Sequence, residues 1–161
     1  MPEPGTLNRN DRLADRLALR ALVDAYASGV DGRDVAGVTG LFATDGRLVA
    51  HFSRRPDTPP TVRQGKAEIE TALDEGLRPY QATTHVVGGQ VVTFDTADRA
   101  HGETTCLAHH LYEHDGVPRL YVIAVRYHDL YVREEGEWRF AQRELRLDWR
   151  DDRPVGERGR S

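Results

Sequence analysis

The chain has a single cysteine, Cys106, among its 161 residues, so no internal disulfide can form. Cys106 sits in the apolar run Cys106-Leu107-Ala108, where it reads as a small buried residue. An apolar setting raises a thiol pKa and argues against a nucleophile there. No stretch approaches the ~18 consecutive apolar residues of a membrane span, and the polar start Met1-Pro2-Glu3-Pro4-Gly5 lacks a hydrophobic signal core. A cytoplasmic protein without a membrane partner is therefore expected. Twenty-two Lys and Arg are interleaved with 26 Asp and Glu, giving a net charge of −4 and no basic stripe, so nucleic acid is not an expected partner. No histidine cluster stands with a carboxylate at the spacing of a zinc site, and neither metal nor cofactor is expected. There is no internal repeat and no low-complexity core segment.

What is present is a globular chain, with 39% apolar and 30% charged residues spread along one domain's length. Residues 1–9 and 150–161, with their Pro, Gly and charged residues, read as flexible tails around a domain spanning 10–149. From Asn10 to Val30, Leu19, Leu22, Val23, Tyr26 and Val30 recur at helical spacing. Gly32 is a candidate C-cap, and Asp34 a candidate N-cap for a second helix over Val35–Phe42. Asp45-Gly46 predicts a turn into a strand over Arg47–Phe52, followed by a proline-rich loop and a third helix over Lys66–Gly76. Beyond it the period becomes extended. Thr83–Phe94, Gly102–Glu113, Arg119–Val132 and Trp138–Leu147 read as four strands, with turn signals at Asp98, Asp115-Gly116 and Glu135-Gly136. Helices first and a meander after them predict an α+β fold, a curved antiparallel sheet wrapped around the N-terminal helices with a pocket at its open end.

Three residues offer chemistry if the fold brings them together. An imidazole is suited to moving a proton at neutral pH, and works better when a carboxylate fixes its tautomer. Asp31, at the end of the first helix, opposes the helix dipole by ~0.3–1 kcal/mol, which asks for a reason. His85 lies on a strand beside Val86 and Val87 and is the candidate base. His110, on the next strand, is a candidate second acid or ligand for a leaving oxygen, but a one-residue slip would present His109 instead. Tyr26, a turn and a residue before Asp31, can line the same cavity. Tyr127 and Arg143 are candidate contacts for an anionic or carbonyl group, and Arg143 is equally placed to pair with Glu144 or Asp129. His51, His101, His114 and His128 stand near polar or turn residues and are expected at the surface. Trp138, Phe140, Leu145, Leu147 and Trp149 exceed what a small core needs, which predicts homo-oligomerisation through the sheet.

The order of elements resembles the SnoaL-like family of the nuclear-transport-factor-2-like superfamily. Tyr26 with Asp31 and Asp34, Leu41-Phe42-Ala43-Thr44-Asp45, Gly65, and Gly136-Glu137-Trp138-Arg139-Phe140 with Arg143 carry the likeness over about residues 10–149. It implies a cone-shaped fold, and for the expected self-association a homodimer or a homotrimer. Within it, the scytalone-dehydratase and bile-acid 7α-dehydratase patterns place catalytic residues at Asp31, His85 and His110 and at Tyr26, Asp31 and His85. Val30 and Ala50 stand where the former has two tyrosines that hold a substrate carbonyl. The implied function is a cofactor-independent lyase, dehydratase-like, acting on a small hydrophobic cyclic or polyketide-like substrate. An isomerase or cyclase using the same Asp-His dyad, and a non-catalytic small-molecule-binding or association module, are the alternatives.

Overall fold

Helix α1 (Arg9–Asp31) forms because one face carries Leu19, Leu22, Val23, Tyr26, Ala27 and Val30, all buried. The computed structural model describes residues 9–53, 55 and 57–156, so most of the expected N-terminal tail lies outside the described residues. The helix closes with a Schellman motif in which Asp34 N–H donates to the Gly29 carbonyl and Arg33 N–H to that of Val30. The left-handed residue is Arg33, with φ 60°, and not the expected Gly32. A reason lies in its side chain, which donates to the carbonyls of Leu77 and Tyr80 at 2.7 Å each. Those bonds offset the strain of a side chain at positive φ.

Asp34 caps α2 (Val35–Gly40) by accepting from Gly37 N–H. The helix stops two residues earlier than expected, because Phe42 enters β1 (Phe42–His51) and packs, fully buried, against Phe140 at a ring separation of 5.3 Å. The expected Asp45-Gly46 turn is a register shift inside β1, between Phe42 and Arg47. Four residues of the expected loop form an edge strand, β2 (Thr61–Gln64), ahead of α3 (Gly65–Leu77).

β3 (Ala82–Phe94), β4 (Arg99–His114), β5 (Val117–Glu134) and β6 (Glu137–Pro154) form the expected antiparallel meander. The β4–β5 and β5–β6 links are two-residue turns, Asp115-Gly116 and Glu135-Gly136, with positive φ at all four positions as a primed hairpin turn requires. The strand order is β2-β1-β6-β5-β4-β3, and β1 runs parallel to β6, so the sheet is mixed where an antiparallel one was expected. A parallel return is open to β1 because α3 and four strands intervene before β6. β6 extends to Pro154, pairing Arg150–Pro154 with Arg119–Ile123, and Asp152 receives hydrogen bonds from Arg119 and Tyr112. Residues expected in the C-terminal tail are thus partly strand; those from 157 on lie outside the described residues.

Register shifts at Val87/Gln90, Ala124/Val125 and Leu130/Tyr131 bend the sheet around α1. The first is where Gly88 passes so close to Thr105 that a Cβ there would lie 2.4 Å from its hydroxyl oxygen. At one end α1 is tied down by Asp15, which accepts from Trp138 Nε1 at 2.9 Å and from Arg133 at 2.7 Å. Burial raises its carboxyl, but those hydrogen bonds outweigh burial and hold it below the usual range.

Trp138 and Phe140 are buried, and Leu145 and Leu147 pack against the core, so of the five residues offered as surplus only Trp149 is exposed. The argument for self-association from the other four therefore fails: bending the sheet turned their side chains inward. Among the described residues, no helix is long and apolar enough to cross a membrane.

Candidate functional site

The last turn of α1 meets the start of β3 at Asp31. Its Oδ1 lies 2.7 Å from His85 Nδ1 and accepts from the Thr83 hydroxyl at 2.9 Å, while Oδ2 accepts from the His85 backbone N–H at 2.8 Å. Three donors on one carboxylate offset its unfavourable place at a helix C-terminus. Thr83 and His85 are two residues apart on β3, so both leave the concave face. Because a carboxylate only accepts, His85 Nδ1 carries the proton and Nε2 holds the lone pair. The His85 side chain is 8% exposed and Asp31 27% exposed.

β4 presents His110, not His109, to the same space. Thr83 pairs with His110 and Thr84 with His109, and His109 is half-buried on the convex side against the Thr84 carbonyl. The rings of His85 and His110 stand edge to face, 5.9 Å apart. His110 Nδ1 donates to the Tyr121 carbonyl at 3.2 Å, which leaves Nε2 as an acceptor. Burial lowers its pKa from 6.5 to about 4, so it is neutral at physiological pH.

These groups open on a cavity of about 570 Å³. Tyr26, Tyr127, His85 and His110 line it, with Val30, Leu48, Ala50, Leu73, Ile123, Val125 and Leu145 supplying apolar wall. Burial pushes the Tyr26 hydroxyl up to about 12 and raises that of Tyr127 well above 10, so both remain protonated donors. Val30 and Ala50 are both in the wall, and two further phenols, Tyr80 and Tyr121, line the cavity beside Tyr26 and Tyr127. The Tyr80 ring lies 4.6 Å from that of His110. Its turn is held by the same Arg33 that closes α1.

Arg143, expected at the substrate, does not line the cavity. It is fully buried behind Tyr26 and Tyr127, with its guanidinium carbon 4.3 and 4.1 Å from their ring centres. Asp129, also buried, accepts from its Nε at 2.9 Å and Nη2 at 2.7 Å. Burial opposes the charge, but Asp129 overcomes it and raises the guanidinium pKa. This is a correction: the strand period that placed Arg143 inside also placed Asp129 opposite it, and the ion pair takes the guanidinium.

The histidines expected at the surface are there in varying degree. The His51 side chain is 35% exposed and paired with Glu144, His128 36%, His101 50% and His114 70%. Cys106 is buried, and burial raises its thiol pKa. Among the described residues no group of three or more His, Cys, Asp or Glu is arranged to hold a metal ion.

Thr83, Tyr80 and Tyr121 are the site residues that sequence reasoning missed. For Thr83 a signal existed, since residue i−2 on a strand shares the face of His85. Tyr80 sits in a turn, where periodicity carries no information.

The family model described as a SnoaL-like domain matches residues 11–144. Among solved structures, a scytalone dehydratase-like protein from Novosphingobium aromaticivorans DSM 12444 is 21% identical, with a TM-score of 0.77, 96% of this chain and 99% of that chain being covered. Hexachlorocyclohexane dehydrochlorinase LinA-type3 from Novosphingobium barchaimii LL02 is 19% identical, with a TM-score of 0.76 over 92% and 94% of the two chains. The Kfla4162 protein of Kribbella flavida is 24% identical, with a TM-score of 0.74 over 87% and 95%. These likenesses are of fold. No curated protein is similar in sequence.

Proposed function

The chain belongs to the SnoaL-like domain family, and on that premise we propose that it is a cofactor-independent lyase of the dehydratase type, acting on a small hydrophobic cyclic or polyketide-like molecule. The observation that carries this reading is the Asp31–His85 contact at 2.7 Å, opening on a largely apolar cavity. His85 Nε2 takes a proton from the carbon next to an activating group, and Asp31 stabilises the imidazolium that forms. The C–H electron pair becomes the new double bond as the C–O bond breaks, and the imidazolium returns its proton to the departing hydroxide as water.

His110 takes a different part from that of an acid. Its one ring proton is spent on the Tyr121 carbonyl, so at neutral pH it accepts a hydrogen bond from the leaving hydroxyl and orients it. Tyr26 and Tyr127 donate to the oxygen on which charge develops. Asp31, His85 and His110 are thus the catalytic set, and Tyr26 and Tyr127 the substrate-binding one. Self-association fits the same reading: Val86, Leu107, Ala124 and Trp149 lie in register across β3 to β6 on the convex face, and we assign that stripe to a homodimer or homotrimer contact.

The test is product mass. A panel of hydroxylated bicyclic ketones is incubated with the protein and followed by mass spectrometry, where loss of one water is expected. His85→Ala abolishes turnover while circular dichroism shows the fold retained. Conversion at unchanged mass assigns isomerisation or cyclisation at the same dyad. Turnover that persists in His85→Ala removes His85 from the mechanism, and no turnover of any substrate by the wild type leaves the binding-module alternative.

A further inference from the structure

The buried lining residues, among them Tyr26, Val30 and Tyr127, form the cavity floor, whereas Phe52, Thr61 and Glu75 are exposed and form its rim. Arg63 on β2 belongs to that rim. It is half-buried and pairs in register with Leu48, itself a lining residue, so both side chains leave the same face of the sheet. Among the described residues it is the one Lys or Arg that lines the cavity.

Its charge is unanswered. The Arg63 Nη1 hydrogen bond goes to the neighbouring Val62 carbonyl at 3.1 Å, and among the described residues no carboxylate lies within ion-pairing distance. Arg126, Arg133 and Arg143, by contrast, each hold an Asp or Glu. Glu75 shares the rim without pairing to it. A half-buried guanidinium beside apolar wall keeps Nε and Nη2 available, a fork that matches a carboxylate.

We propose that Arg63 receives a carboxylate of the bound molecule, so that the cavity takes an amphipathic acid. Its apolar ring body lies against Leu48, Ala50 and Leu145, its reacting carbon faces His85, and its anionic end stays at the rim. That this molecule is the substrate rests on the Asp31–His85 reading; the preference for an acid does not. Glu75 disfavours a second negative charge at the rim, which selects monoanions.

Isothermal titration at low ionic strength with 2-naphthoate and methyl 2-naphthoate tests this without turnover. The wild type is expected to bind the acid more tightly than the ester. Arg63→Met weakens the acid about five- to tenfold, the scale of a charge-assisted contact at a partly exposed site, and leaves the ester unchanged. Unchanged ester binding also certifies an intact cavity. His85→Ala retains the acid preference, so failure of the dyad and failure of this proposal are read separately. Equal affinity for acid and ester in the wild type, binding of neither, or acid affinity unmoved in Arg63→Met overturns it. Equal loss of both ligands in Arg63→Met assigns Arg63 a structural role and overturns it as well.

Discussion

Asp31→Asn isolates what the carboxylate does, because the amide keeps the shape and removes half of the acceptors. In the wild type both oxygens accept: Oδ1 from His85 Nδ1–H and the Thr83 hydroxyl, Oδ2 from the His85 backbone N–H. An asparagine has one oxygen. The backbone N–H cannot change its polarity, so the amide oxygen turns to it and the NH₂ faces His85 Nδ1. Two donors cannot share that contact, and the imidazole moves its proton to Nε2. Thr83 loses its acceptor as well. Converting two charge-assisted hydrogen bonds to neutral ones and abolishing a third costs about 1–3 kcal/mol of stability at this partly exposed carboxylate. Loss of the Nε2 lone pair removes general-base catalysis, which is ~10²–10⁴-fold in rate. Two-bond ¹H–¹⁵N correlation spectra of histidine-labelled protein at pH 8 report the tautomer with no substrate present. His85 is expected as Nδ1–H in the wild type and Nε2–H in the variant, with the urea midpoint lowered. An unchanged tautomer in Asp31→Asn would refute the claim that this carboxylate sets the proton's place.

Two further outcomes follow from buried charge. His110 has a folded-state pKa of about 4 against 6.5 for the ordinary group, so the unfolded chain binds the extra proton and stability is lost as pH falls through that window. A shift of about 2.5 units corresponds to at most ~3 kcal/mol, and nearer ~2 once water in the cavity is allowed for. Urea unfolding from pH 7.5 to 4 is expected to show that extra loss in the wild type relative to His110→Phe; parallel curves would show His110 protonated in the folded protein. Asp129→Ala strands the fully buried Arg143 guanidinium, whose Nη1 has no protein partner already, and removes the acceptor of the Tyr131 hydroxyl. A loss of about 3–5 kcal/mol is expected in chemical denaturation, and a loss below ~1 kcal/mol would mean that water reaches the site.

Sequence by itself determined the helix-then-meander order, both glycine hairpin turns, the helical core face of α1 and the pairing candidates Asp31 and His85. The first three rest on local period or turn chemistry, which short stretches of chain already encode, and the last on residue type together with the family resemblance. Tertiary structure decided what depends on register and on partners distant in sequence. It turned His110 inward and His109 outward, since a strand's faces alternate and one residue of slip exchanges them. It gave Arg143 to Asp129, moved Phe42 from helix to strand through its packing on Phe140, and drew Trp138 and Phe140 into the core. Thr83 joined Asp31 through a contact spanning 52 positions, and Arg63 reached the cavity on an edge strand that its proline-flanked sequence does not announce. Asp31 and His85, 54 positions apart, were legible as chemistry from their residue types, but only the bend of the sheet around α1 sets them 2.7 Å from each other.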